Sequence, residues 1–290
     1  MFLARPKHAE SVDLEGKEGL EIERYKSIAL LDSGVGGLTV VKEIYKQLPK
    51  ENIVYFGDTA HMPYGPRPSE QVRGFVYEIM DFLQTQEIKA IIVACNSAAS
   101  AGLDYYKERV NLPLFGVIEP GVRAALKKTI TKKIGVIGTT GTIESGSYRD
   151  VFKRLAPDVQ LYSQPCPLFV LIVENGLVNS PEARLVAEEY LAPLKKAQID
   201  TLILGCTHYP LMTDVIQEVM GANVKLISSA EETAREVKEV LIKNDFLQDE
   251  RHQDVSSRRF FVSGPAKPFT DLAVNLIGGE IKAYQVLLPW

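Results

Sequence analysis

Lys89-Ala-Ile-Ile-Val-Ala-Cys-Asn-Ser97 and Asp200-Thr-Leu-Ile-Leu-Gly-Cys-Thr-His208 are far apart in the chain but share one layout. In each, a short apolar run reads as a buried strand, a cysteine stands at its carboxyl end, and small polar residues open a helical pattern. Open α/β sheets bind their ligands at that end of the strands. Two thiols presented in this way, one from each half of a protein, predict a site with a sulfur on either side of a substrate. Such a site can move a proton from one face of a carbon to the other.

Outward from the first cysteine, strands and helices alternate. Strands are predicted over 27–31, 52–57, 90–94 and 114–117, with helices over 38–47, 69–85 and 98–109 between them. A second series follows from Lys133, with strands over 134–137, 160–163, 201–204 and 225–227 and helices over 144–155, 181–196 and 211–221. This alternation is the signature of parallel, helix-flanked sheets. Each series opens with a strand running into a Gly-rich turn, Leu31-Asp-Ser-Gly-Val-Gly-Gly37 and Ile137-Gly-Thr-Thr-Gly-Thr142, so the two read as an internal repeat. After a helix over 230–243 and a polar loop over 244–257, a strand over 259–263, a helix over 268–277 and a strand over 281–288 are predicted to return to the first unit. The expected organisation is a solvated, partly disordered extension over residues 1–25, a first α/β domain of 26–118 plus 228–290, and a second of 119–227.

The chain has 290 residues, 46% of them hydrophobic and 24% charged, enough to bury two cores without staples. Its 33 Lys and Arg against 37 Asp and Glu leave a net charge of −4, and the pI is near 5.7. That balance offers no footprint for nucleic acid or an anionic membrane. The start, Met1-Phe-Leu-Ala-Arg-Pro, lacks the apolar stretch of a secretory signal, and no run reaches the roughly 18 apolar residues of a membrane span. A cytoplasmic protein is expected, with Cys95, Cys166 and Cys206 kept as thiols.

A thiol at a helix start gains from the partial positive charge there, which is expected to lower its pKa and populate thiolate. Cys95 and Cys206 have that setting; Cys166, between two prolines, reads as structural. His208, two residues past Cys206, is either a proton relay for that sulfur or an ordinary surface or core histidine. Asp32, at the end of the first strand, is either a carboxylate for the opposing thiol or a turn residue. Gly34-Val-Gly36-Gly37 lacks the third glycine of a dinucleotide fingerprint, and Gly138-Thr-Thr-Gly-Thr142 lacks the Gly-Lys-Ser/Thr ending of a P-loop. No nucleotide cofactor is expected. The cysteines and His208 show no zinc-ligand spacing, so no metal is expected either. These turns read instead as donors of N–H groups and hydroxyls to carboxylates.

Asp32-Ser-Gly-Val-Gly-Gly37, Pro63-Tyr-Gly65, Ala94-Cys-Asn-Ser97, Gly116-Val-Ile-Glu-Pro120, Gly138-Thr-Thr-Gly-Thr142, Pro167-Leu-Phe-Val170, Val173-Glu174 and Gly205-Cys-Thr-His208 occur in an order that resembles the glutamate racemases, cofactor-independent members of the aspartate/glutamate racemase superfamily. The resemblance runs from about Lys26 to the C-terminus. It implies two similar α/β domains facing across a central cleft, interconversion of L- and D-glutamate, supply of D-glutamate for peptidoglycan, and a homodimer. It also implies that Cys95 and Cys206 are the acid/base pair, with Asp32 assisting the first and His208 and Glu174 the second. Ser33, Pro63, Tyr64, Gly65, Asn96, Ser97, Thr139, Thr142 and Thr207 fall where such enzymes contact substrate. Two departures stand out: Ser97 replaces the family's usual Thr, keeping the hydroxyl, and Ala99 stands where Ser or Thr is common. Read from the residues alone, a cysteine hydrolase built on Cys206 and a two-lobed binding protein for a small acid are the rival readings.

Overall fold

The computed structural model describes residues 23–248 and 256–289, so the expected extension, apart from its last three residues, lies outside the described residues. Two wholly parallel sheets form the frame. The first has six strands in the order β10-β9-β2-β1-β3-β4: β1 is Ser27–Asp32, β2 Ile53–Gly57, β3 Ile88–Val93, β4 Leu114–Gly116, β9 Arg258–Val262 and β10 Ala283–Gln285. The second has four, β6-β5-β7-β8: β5 is Lys133–Gly138, β6 Gln160–Pro165, β7 Thr201–Gly205 and β8 Lys225–Ser228. Every residue of β1, β2, β3 and β7 is buried, which is why these strands are nearly unbroken apolar runs: helices cover both faces.

The register decides where side chains meet. In the first sheet β1 lies between β2 and β3, with Leu31 opposite Val93. The chain leaves β1 to one side for β2 and later lays β3 on the other, so a crevice opens at the carboxyl ends of β1 and β3. In the second sheet β5 lies between β6 and β7, with Gly138 opposite Gly205. The same switch recurs there, and the two crevices deliver Asp32, Cys95, Thr139 and Cys206.

The helices are α1 Leu38–Gln47, α2 Ser69–Gln84, α3 Asn96–Lys107, α4 Ile118–Lys128, α5 Thr140–Glu144, α6 Ser147–Leu155, α7 Leu168–Glu174, α8 Pro181–Lys196, α9 Thr213–Met220, α10 Ser229–Lys243 and α11 Ala266–Ile277. Three of them, α4, α5 and α7, are absent from the sequence expectations. Pro120 in α4 looks like a breaker, yet it falls in the first turn, whose N–H groups lack intrahelical partners anyway. The helix expected over 144–155 starts later, at Ser147, because Gly146 adopts φ +75° and turns the chain between α5 and α6. The helix expected from Leu211 opens as a 3₁₀ turn, Tyr209–Met212, before α9. The last strand is shorter than expected: β10 pairs with β9 over Ala283, Tyr284 and Gln285, and Leu287 beyond it is 82% exposed. Among the described residues no helix is long and apolar enough to cross a membrane.

Candidate active site

Cys95 lies two residues past the end of β3, at the N-cap of α3, while Cys206 immediately follows β7. The two sheets turn these ends toward each other, and both cysteines, 5% and 6% exposed, line one small cavity. Ser33, Asn96 and Ser97 line it from the first sheet, and Thr139, Thr207 and His208 from the second. The loop after β2 adds Pro63, Tyr64 and Gly65, and α7 adds Val170. The space is about 10 Å³, near the minimum for a single water. Asp32, Glu174 and Thr142 stand behind this wall, hydrogen-bonded to its Thr207, His208 and Ser97.

On the Cys95 side, Asp32 is fully buried, accepts the Gly34 N–H at 3.0 Å and accepts the Thr207 hydroxyl at 3.2 Å. Thr207 follows Cys206, so this carboxylate ties the turn after β1 to the Cys206 turn. Burial raises its pKa above the ordinary carboxylate value, against the opposing charge of His208 and the N–H groups of Gly34 and Gly37. Cys95 donates to Ser33 Oγ at 3.8 Å. Its thiol does not have the lowered pKa expected of a helix start. Burial first, then the Asp32 carboxylate, pushes it up to about 12, and the Ala98 N–H at the helix start offsets only part of this.

On the Cys206 side, Nδ1 of His208 lies 3.7 Å from the sulfur and Nε2 lies 2.5 Å from Glu174 Oε1. Burial opposes a charge on this imidazole, but the hydrogen bonds to Cys206 and Glu174 outweigh it, assisted by the negative charges of Cys206 and Asp32. His208 is held at about 10. It is therefore an imidazolium at neutral pH, donating one N–H to Glu174 and directing the other at the sulfur. Cys166 is elsewhere: fully buried in the apolar cluster against the second sheet, with its thiol pushed up by burial.

Hydroxyls and amides close the seam. Ser97 Oγ lies 2.9 Å from Thr139 Oγ1 and 3.3 Å from Thr142 Oγ1, and Thr139 caps α5. Asn96 donates to the Tyr148 hydroxyl at 2.9 Å. The backbone carbonyl of Gly65 accepts the Gly141 N–H at 2.9 Å, linking the loop of the first sheet to the turn of the second. Tyr64 directs its hydroxyl away to Asp58 Oδ2 at 2.6 Å, so it presents the cavity with the rest of its ring. Gly36 is needed for this approach: a Cβ there would meet Thr207 Oγ1 at 2.4 Å and His208 Nδ1 at 2.7 Å. Val170 is the one lining residue that is not among the expected site residues, because it lies in an apolar run with no polar face. Among the described residues no group of three or more His, Cys, Asp and Glu is placed to hold a metal ion.

This arrangement brings two thiols from different sheets to one closed, hydroxyl-lined cavity. A family model described as Asp/Glu/Hydantoin racemase matches residues 31–237. The chain belongs to the Asp/Glu/hydantoin racemase family. This racemase, an isomerase, is 49% identical over 252 residues to glutamate racemase of Oceanobacillus iheyensis, covering 87% of this chain and 91% of that one. Its fold matches the glutamate racemase structure from Bacillus anthracis with a TM-score of 0.87 at 44% identity, covering 91% of this chain and 98% of the other. It also matches the Francisella tularensis glutamate racemase, solved in complex with D-glutamate, with a TM-score of 0.84 at 34% identity and the same coverage.

Proposed function

We propose that this racemase interconverts L- and D-glutamate without a cofactor, using Cys95 and Cys206 as an acid/base pair on opposite faces of the α-carbon. The observation that carries this reading is that two thiols, delivered by different sheets, line the same cavity. Glutamate is favoured as substrate by the relatives named above, one of them holding D-glutamate.

The α-proton of an amino acid is far less acidic than a thiol, so the site has to strengthen the base and stabilise the carbanionic state. Burial does the first for Cys95: a thiolate that is costly to form is also a stronger base. In this reading the Ser97 and Thr139 hydroxyls, backed by Thr142, together with the Asn96 amide and the Ser33 hydroxyl, hold the substrate's carboxylates in a space that excludes water. His208, held in place by Glu174, exchanges a proton with Cys206, and Asp32 stands behind the opposing turn. In one direction one thiolate takes the proton while the other thiol donates to the opposite face; the reverse reaction exchanges the roles. Because a cavity of about 10 Å³ does not admit an amino acid, the units 26–118 with 228–290 and 119–227 are proposed to part for binding and close for chemistry. The reading extends, through the family resemblance, to a homodimer that supplies D-glutamate for peptidoglycan in the cytoplasm, where the three free thiols are chemically at home.

Cys206, His208 and Glu174 also have the order of a nucleophile, base and orienting group in a thiol hydrolase, a reading that leaves Cys95 without a task. The test is the circular dichroism of L-glutamate with purified protein and no added cofactor. A racemase drives the signal to zero, and Cys95→Ala and Cys206→Ala each abolish the change. An unchanged signal with wild-type protein, or a fully active Cys95→Ala, rejects the proposal.

A further inference from the structure

A buried phenol bridges the seam next to both thiols. Tyr148 lies in the first turn of α6 and is 2% exposed. From one side Asn96, the residue after Cys95, donates its Nδ2–H to the phenol oxygen at 2.9 Å. From the other side the ring lies against Gly205, the residue before Cys206. A Cβ built on Gly205 would sit 3.2 Å from both Cε2 and the hydroxyl oxygen of Tyr148, and 2.6 Å from the Ile137 carbonyl oxygen. One side chain therefore touches the neighbour of each thiol, one in each sheet. Close by, Ser147 Oγ donates to the Ser100 carbonyl at 3.4 Å, so the start of α6 is fixed to α3 at a second point.

Each part of this contact needs its residue type. A phenylalanine at 148 fills the same volume but offers Asn96 no acceptor, and a side chain at 205 would push the ring off the end of β7. Without an acceptor the Asn96 amide, which lines the cavity, is free to rotate. Without the ring, the two turns lose the spacer between them.

We propose that Tyr148 is a positioning residue of the racemisation: its phenol orients the Asn96 amide toward the substrate and sets the spacing between the Cys95 and Cys206 turns. This rests on the two-thiol reading above, and the experiment separates the two. Wild-type activity in the cofactor-free assay tests that reading, and the Tyr148 variants test only this one.

Tyr148→Phe, which keeps the packing, is expected to raise KM for glutamate about tenfold, with kcat within about threefold and the thermal midpoint little changed. In an Asn96→Ala background the same change is expected to raise KM by less than about twofold, because the group it orients is gone. Tyr148→Leu, which removes the spacer, is expected to lower kcat about 100-fold in both directions. The proposal is overturned if Tyr148→Phe keeps the wild-type KM, if it loses thermal stability with KM unchanged, or if its effect on KM is as large in the Asn96→Ala background as in the native one.

Discussion

Replacing Glu174 by Gln removes the carboxylate behind His208 while keeping an oxygen able to accept from Nε2. In the native site burial disfavours the imidazolium, and the hydrogen bonds to Cys206 and Glu174, with the charges of Cys206 and Asp32, more than reverse this and hold His208 at about 10. A hydrogen bond to a charged group contributes about 1.5–3 kcal/mol. The neutral hydrogen bond that Gln keeps contributes about 0.5–1.5 kcal/mol, so the loss is about 1–1.5 kcal/mol and, at about 1.4 kcal/mol per pH unit, lowers the His208 pKa by roughly one pH unit. If the imidazolium must be present for Cys206 to trade its proton, the alkaline limb of kcat/KM for Glu174→Gln falls at lower pH by that amount. The stability profile has the same sign. His208 is raised above its unfolded value near 6.5, so its contribution is complete below that pH and is lost as pH rises through about 10 in the native protein. In the variant that loss ends earlier. The assay is racemisation by circular dichroism across the alkaline range, with thermal unfolding run in parallel. An alkaline limb that stays in place or moves upward refutes the role given to the Glu174–His208 pair.

Gly36→Ala pushes a methyl group to 2.4 Å from Thr207 Oγ1, so it is expected to cost about 1–3 kcal/mol and to lower kcat/KM at least about tenfold. Gly74→Ala, in α2 with nothing within 4 Å of the added Cβ, is expected to gain about 0.5–1 kcal/mol with activity unchanged; denaturant unfolding and the racemisation assay check both. Lys89 and Glu51 form a buried ion pair at 2.5 Å, at the pole of the first sheet away from the thiols. Lys89→Met leaves the Glu51 carboxylate buried without its cation and is expected to cost about 3–5 kcal/mol, most of it recovered by adding Glu51→Leu. A Lys89→Met protein with wild-type stability contradicts this.

The frame was legible because parallel strands buried on both faces read as near-continuous apolar runs, and β1, β2, β3, β5 and β7 do, with Ser27, Asp32, Lys89, Lys133 and Thr201 confined to the strand ends or next to them. The thiol turns were legible for a related reason: polar residues at the end of such strands stand out against the run. Asp32, Cys95, Cys206 and His208 could be singled out in this way. Glu174, Pro63, Tyr64 and Gly65 came from family resemblance, since their part depends on which loops the fold brings to the seam. α7 was missed because its seven residues carry no polar face, and a short apolar run has no period that separates helix from strand. The expected lowering of the Cys95 pKa failed because a helix start supplies a partial charge, whereas complete burial beside a carboxylate acts on the full charge of the thiolate. Tyr148 left no signal, because its partners are Asn96 and the bare backbone of Gly205, both distant in sequence.

Racemisation of L-glutamate in D₂O, stopped at low conversion, addresses the opposed thiols most directly. With a sulfur on each face, the D-glutamate formed carries solvent deuterium on its α-carbon while the recovered L-glutamate keeps its proton. D-glutamate that retains the original proton at early times would mean that one group removes and returns it, and the opposed thiols would not be the acid/base pair.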